Sequence, residues 1–240
     1  MCATCGCGQE EHHHEHEPTH HHPRIVRIEQ DVLAKNDHLA QHNREWLRSR
    51  GVFAINLMSA PGAGKTTLLE RTLGDLDLPA AVIEGDQETS LDAERIRATR
   101  RRAVQINTGA GCHLDAERVG QALRQLEPAG GSLVVIENVG NLVCPALFDL
   151  GEQARVVLLS VTEGDDKPLK YPHMFRAAHV VLLTKIDLES FVPFDRARCL
   201  DHLNRVNPRL RVLPISAIRE SGLPAWYDWL RGEVSRAHAA

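Results

Sequence analysis

The chain has 240 residues, 42% of them hydrophobic, enough for one sizeable α/β core with a short appendage. Its formal net charge is −4, yet residues 1–22 carry four glutamates and no Lys or Arg, so the rest balances 28 basic against 28 acidic side chains. A neutral body without a Lys/Arg run argues against nucleic acid as the partner, whereas an acidic, histidine-laden tail favours divalent cations.

Residues 1–23 have no hydrophobic periodicity and hold seven of the fourteen histidines, so they are expected to be a disordered Cys/His-rich tail. No apolar run approaches the ~20 residues that span a bilayer, and the chain opens with Cys and His rather than a basic patch. No membrane association is therefore expected, and the expected compartment is the cytoplasm. In that reducing milieu the six cysteines suggest metal ligation before disulfides, except Cys199, which reads as a small buried apolar residue.

The main domain is expected over 24–240. It opens with an amphipathic helix at 27–50, carried by Ile28, Val32, Leu33, Leu39, Trp46 and Leu47 and stopped by Gly51. Short β-branched runs follow near 52–58, 80–84, 103–106, 132–136, 155–161, 179–184 and 211–215, with helical patterns between most of them. That alternation predicts an α/β fold, a mostly parallel sheet of about seven strands with helices on both faces, and the loop that follows the first strand makes it a P-loop NTPase. Ligands of such sheets bind beyond the carboxyl ends of the strands.

At the end of the first predicted strand stands Ser59-Ala-Pro-Gly62-Ala63-Gly64-Lys65-Thr66-Thr67, running into a helix. This is a phosphate-binding loop: the glycines turn backbone N–H groups onto phosphate oxygens, Lys65 reaches the β/γ-phosphates and Thr66 offers its hydroxyl to Mg²⁺. Leu133-Val-Val-Ile136-Glu137-Asn-Val-Gly140 places a second carboxylate for Mg²⁺ at Glu137 and a γ-phosphate contact at the Gly140 N–H. A solvated strand-end Glu is the bland alternative. Thr184-Lys185-Ile-Asp187 supplies base choice, since a carboxylate at Asp187 accepts both N1–H and N2–H of guanine, which adenine cannot offer. Lys185 would pack its stem over the base, Thr184 stands where Asn is more usual, and Ser216 and Ala217 could present a backbone N–H to the guanine oxygen. GTP is the expected nucleotide. For the attacking water, Asp86 and Asp92 are the candidates, although Asp92 could equally be a helix cap.

The residues resemble the nickel-incorporation GTPase family of hydrogenase maturation, HypB, over nearly the whole chain. The resemblance is carried by Cys2-Ala-Thr-Cys5-Gly6-Cys7, Val32-Leu33-Ala-Lys-Asn36-Asp37, Asn43-Arg44, Glu84-Gly85-Asp86-Gln87, Cys112-His113-Leu114, Glu137-Asn138 through Cys144-Pro145, and Glu163-Gly164-Asp165-Asp166-Lys167-Pro168. Ser59 and Glu137 depart from the generic GTPase pattern but match this family. The sister GTPase that serves urease carries Cys-Pro-His, whereas here Ala146 follows Cys144-Pro145. The resemblance implies GTP hydrolysis and delivery of Ni²⁺ to the large-subunit precursor of [NiFe]-hydrogenase. It also implies a zinc-binding accessory partner and a homodimer formed on GTP binding.

Three sets of metal ligands follow. Cys2, Cys5 and Cys7 can wrap one ion, Ni²⁺ if tetragonal or Zn²⁺ if tetrahedral. Cys112 and His113, with Cys144 in the loop past Gly140, form an internal site by resemblance, although Cys112 and His113 could separately be a buried thiol and a helix-start imidazole. His12, His13, His14, His16, His20, His21 and His22 read as a reservoir for several nickel ions. Nucleotide state is expected to bias metal affinity by moving Cys144. The alternatives are an ATPase or small-molecule kinase, a nickel storage protein with vestigial GTPase parts, and a GTPase serving another nickel enzyme such as urease.

Overall fold

The computed structural model describes residues 23–86, 91–109 and 113–240, with the backbone alone at 23–29, 86 and 91–93. The expected tail ligands at positions 2, 5, 7, 12–14, 16 and 20–22 lie outside the described residues, as do Cys112 and the side chains of Asp86 and Asp92.

Seven strands are found among the described residues: β1 (Phe53–Ser59), β2 (Ala80–Asp86), β3 (Arg102–Asn107), β4 (Leu133–Glu137), β5 (Ala154–Ser160), β6 (Val180–Thr184) and β7 (Arg211–Pro214). Each begins and ends within two residues of the expected run. They form one sheet in the order β3-β2-β4-β1-β5-β6-β7. Every neighbouring pair among the described residues is parallel, so the sheet is wholly rather than mostly so. The central strands are buried along their whole length, as required when helices cover both faces.

Alternate residues of β1 serve different layers. Phe53, Ile55 and Leu57 join a core with Leu68, Leu69 and Leu73 of α2 (Lys65–Asp75), Ile96 of α3 (Leu91–Ala98) and Trp226 and Leu230 of α9 (Leu223–Ala239). Ala54 faces the other way, towards Leu47 of α1 (Pro23–Ser49) and Val119 and Leu123 of α4 (Ala116–Leu126). Met58 continues that second face towards Met174 and Phe175 of α7 (Pro172–Ala177) and Leu203 of α8 (Arg196–Val206). Each fully buried Leu contributes roughly 2 kcal/mol to this packing.

The first helix is described from Pro23, four residues before the expected 27. It stops where expected: Gly51 adopts φ 61° and its N–H returns to the Arg48 carbonyl at 3.0 Å. Among its described side chains, from residue 30 on, Asn36, Ala40, Asn43 and Leu47 are buried, at spacings of four, three and four that make one stripe. The asparagines satisfy backbone groups elsewhere. Asn36 Oδ1 accepts from Ala116 N at 2.9 Å and its Nδ2 donates to Asp149 O at 2.7 Å. Asn43 Nδ2 donates to Ala116 O at 2.7 Å and Leu150 O at 3.1 Å. Two further short helices, α5 (Cys144–Leu147) and α6 (Lys167–Lys170), lie in connections at the carboxyl edge of the sheet.

Candidate functional site

At the carboxyl end of β1 the chain turns through Gly62 (φ 75°) and Gly64 (φ 96°) into α2, and only glycine adopts both angles without strain. The first-turn N–H groups of α2 have no carbonyl partner within the helix, and they open into a cavity of about 530 Å³. Its walls include Gly62, Lys65, Thr66, Glu137, Gly140 and Lys185. Lys65 Nζ donates to Ser59 Oγ at 2.8 Å, and Ser59 Oγ donates to Ala60 O at 2.6 Å. The serine in place of the usual glycine thus parks the lysine ammonium at the strand end.

Thr66 Oγ1 donates to Glu137 Oε1 at 2.9 Å, with both residues buried. A hydroxyl and a carboxylate converging beside a ring of N–H donors is a hard-oxygen set that fits Mg²⁺ next to phosphate. Glu137 is therefore not a solvated strand end. Gly140 lies against Pro61, where an added Cβ would come within 3.2 Å of the Pro61 Cα. An alanine there would require the 140 and 61 segments to separate by a few tenths of an ångström.

The expected base-binding residues form a smaller, more apolar cleft next door, walled by Ala63, Gly64, Thr67, Asp187, Ser216 and Ala217. Thr184 Oγ1 donates to Ala63 O at 2.9 Å, and Lys185 Nζ donates to Gly62 O at 2.7 Å. The Lys185 stem lies along the phosphate loop, at the wall shared by the two cavities. Asp187 Oδ1 accepts from Ser216 Oγ at 2.5 Å, which fixes the carboxylate at the cleft. The expectation for Ser216 needs correcting in one respect: its backbone N–H is committed to Ser221 O at 2.9 Å by a tight antiparallel bridge. The Ser216 hydroxyl meets the cleft at Asp187, and Ala217 is left as the backbone candidate.

Arg95 and Glu84 also line the phosphate cavity; Arg95 was not singled out from the sequence, and Glu84 stood only within a stretch of family resemblance, with no role of its own. Arg95 Nη2 donates to Glu70 Oε2 at 2.6 Å and to Thr67 Oγ1 at 3.3 Å, so α3 is held against the start of α2. The available signal for Glu84 was a carboxylate inside an otherwise apolar strand.

Of the internal metal candidates, His113 and Cys144 are described. Cys144 does not lie in a loop. It is fully buried and opens α5, because Asn141 Oδ1 accepts from Val143 N at 2.8 Å and Pro145 stands within the first turn. The half-buried His113 ring stacks on Phe148, with centroids 3.9 Å apart and planes at 26°, at the far end of the same helix. His113 is not a helix-start residue either, since Asp115 caps α4 by accepting from Arg118 N at 2.8 Å. Burial lowers the His113 pKa, with Asp115 opposing this and Arg118 adding to it, which favours the neutral imidazole. Among the described residues no group of three His, Cys, Asp or Glu side chains converges as a metal site.

Cys199 is buried on α8, and burial pushes its thiol pKa up to about 12, as suits a packing residue. Among the described residues no helix is long and apolar enough to cross a membrane.

The family model for the CobW/HypB/UreG nucleotide-binding domain matches residues 53–214. Hydrogenase maturation factor HypB of Rhizobium leguminosarum bv. viciae is 56% identical over 219 residues, covering 90% of this chain and 73% of its own length. The crystal structure of HypB from Helicobacter pylori in complex with nickel superposes with a TM-score of 0.80 at 37% identity, over 85% of this chain and 97% of that one. The crystal structure of hydrogenase maturation factor HypB from Archaeoglobus fulgidus gives 0.78 at 40% identity, over 84% and 99%. With a P-loop fold built around Gly62, Lys65, Thr66 and Glu137, and with this identity along most of its length, the chain belongs to the HypB family of hydrogenase maturation factors.

Proposed function

We propose that this protein is a GTP-hydrolysing nickel metallochaperone that delivers Ni²⁺ to the large-subunit precursor of [NiFe]-hydrogenase, with nucleotide state coupled to metal binding. One observation carries the reading. The strand that ends in Glu137 runs through Gly140, at the wall of the phosphate cavity, directly to Cys144, whose helix packs by Phe148 against His113. A nickel complex of the Helicobacter pylori relative is in keeping with that cargo.

In the proposed reaction the N–H groups of residues 62–67 and the Lys65 ammonium hold the phosphates. Thr66 and Glu137 would hold Mg²⁺, which neutralises charge developing on the β/γ-phosphates when bound. Lys65 leaves Ser59 to reach the γ-phosphate. Asp187, oriented by Ser216, selects guanine, and Ala217 offers an N–H to the guanine oxygen. Asp86 or Asp92 orients the attacking water. No Gln follows Gly140, so intrinsic turnover is slow, below the ~10 per second that kinases reach.

Residues 1–23 act as a separate cytoplasmic metal-loading tail, with Cys2, Cys5 and Cys7 holding one Ni²⁺ or Zn²⁺. Cys112, His113 and Cys144 form the internal site. A GTP-dependent homodimer and a zinc-binding accessory protein complete the delivery step. Two measurements test the whole: the ratio of GTP to ATP hydrolysis, and Ni²⁺ affinity with GDP against a non-hydrolysable GTP analogue. Equal affinities in the two nucleotide states would overturn the coupling.

A further inference from the structure

Between the phosphate cavity and the His113–Cys144 region runs a file of buried polar side chains to which neither chemistry assigns a role. Asn56 is 0% exposed in the middle of β1, a strand otherwise apolar up to its terminal serine. Packing alone would favour an apolar residue there, because a buried carboxamide requires partners on both sides. It has them. Its Nδ2 donates to Glu152 Oε1 at 3.4 Å, and its Oδ1 accepts from Asn138 Nδ2 at 3.2 Å. Glu152 in turn accepts from Leu150 N at 2.8 Å and Arg155 Nε at 2.7 Å.

The other end of Asn138 is the informative one. Its Oδ1 accepts from Val139 N at 2.9 Å and from Leu114 N at 3.4 Å. Val139 belongs to the segment 137–140 that lines the phosphate cavity, Asn138 included, and Leu114 directly follows His113. One oxygen is therefore shared between the backbone that meets phosphate and the backbone that carries the imidazole. Glu152 reaches Leu150, two residues after the Phe148 ring on which His113 stacks.

We propose that Asn138, kept in orientation by Asn56, is the positioning residue that transmits occupancy of the γ-phosphate site to the His113 and Cys144 segments. Drawing Val139–Gly140 towards a phosphate withdraws the shorter of the two bonds to Oδ1. The longer bond from Leu114 then tightens, and the backbone at His113 moves relative to Phe148 and Cys144. Asn56 prevents the carboxamide from flipping, which would turn its NH₂ towards the two N–H donors and end the sharing. This inference rests on the nucleotide–metal coupling proposed above and names the residues that perform it.

The test uses the full chain with Cys2, Cys5, Cys7 and the seven tail histidines changed to Ala, so that the internal site reports. Zn²⁺ affinity is measured by chelator competition with GDP and with a non-hydrolysable GTP analogue, in this parent and with Asn138→Ala or Asn56→Ala added. The parent should differ by about fivefold or more between the two states, as coupled sites do. Each variant should differ by less than about twofold. A purely structural loss lowers both affinities by one factor and leaves the ratio alone. A folded variant at either position that keeps the parental ratio therefore overturns the proposal, and Asn56→Leu, which keeps the core filled, replaces any alanine variant that does not fold. A parent with equal affinities in the two states fails the coupling reading itself, before any variant is compared.

Discussion

Thr66 and Glu137 meet across 2.9 Å, from the first turn of α2 to the last residue of β4. The pair spans two neighbouring parallel strands, so its spacing is set by the sheet. Glu137→Gln keeps an acceptor for the Thr66 hydroxyl but removes the charge. GTP turnover should fall on the order of 100-fold, as for other groups that stabilise transition-state charge, and half-maximal rate should require more Mg²⁺. An unchanged Mg²⁺ dependence would take Glu137 out of this role.

Asp187 receives the Ser216 hydroxyl and faces the cleft beside Gly64 and Ala217. Asp187→Asn should weaken GTP binding by at least about 100-fold and shift preference to xanthosine triphosphate, whose base presents an acceptor where guanine has an amino group. Competition of both nucleotides against a fluorescent GDP measures the change.

Arg44 Nη2 contacts both carboxylate oxygens of Asp149, at 2.7 and 2.6 Å, and so ties α1 to the segment after α5. Burial alone would raise the Asp149 pKa, but the Arg44 hydrogen bonds, the Gly151 N–H and Arg155 outweigh it and hold the carboxyl below its ordinary value. A depressed folded value means the stabilisation is present above about pH 4 and lost as pH falls through that folded value. Asp149→Asn should cost roughly 1–2 kcal/mol at pH 7, and its deficit against the parent should shrink below about pH 4. Urea denaturation at several pH values checks both.

Cys199, with its thiol pushed up to about 12, should escape alkylation at pH 8 in the native protein and react once the chain is unfolded. Peptide mapping by mass spectrometry distinguishes the two. Labelling in the native state would show that α8 opens readily.

Gly120 sits inside α4, where replacing Gly by Ala normally stabilises by about 1 kcal/mol. Here an added Cβ would lie 2.5 Å from Asn43 Oδ1 on α1. Gly120→Ala should therefore lower the thermal midpoint instead of raising it.

The sheet was legible because each buried parallel strand is a short apolar run, and the site was legible because its residues stand where those runs end. Gly62, Lys65, Glu137 and Asp187 are local signals of that kind. Asn36, Asn43, Asn56 and Asn138 are not, since their partners, apart from the Val139 N–H beside Asn138, lie 24 or more residues away in the chain. The asparagine in the run 53–58 was the visible anomaly, but its meaning depends on Glu152 and Asn138 arriving beside it. Cys144 was assigned to a loop for a similar reason: a four-residue helix held by Asn141 and Pro145 has no periodicity to detect.

The bonds from Thr184 to Ala63 and from Lys185 to Gly62 fasten the β6 exit to the loop that wraps phosphate. The two cavities that would take base and phosphates consequently share one tied wall instead of two independent ones. In the proposed function, a shift of the 62–64 turn would therefore be felt at the base cleft as well as at the phosphate cavity.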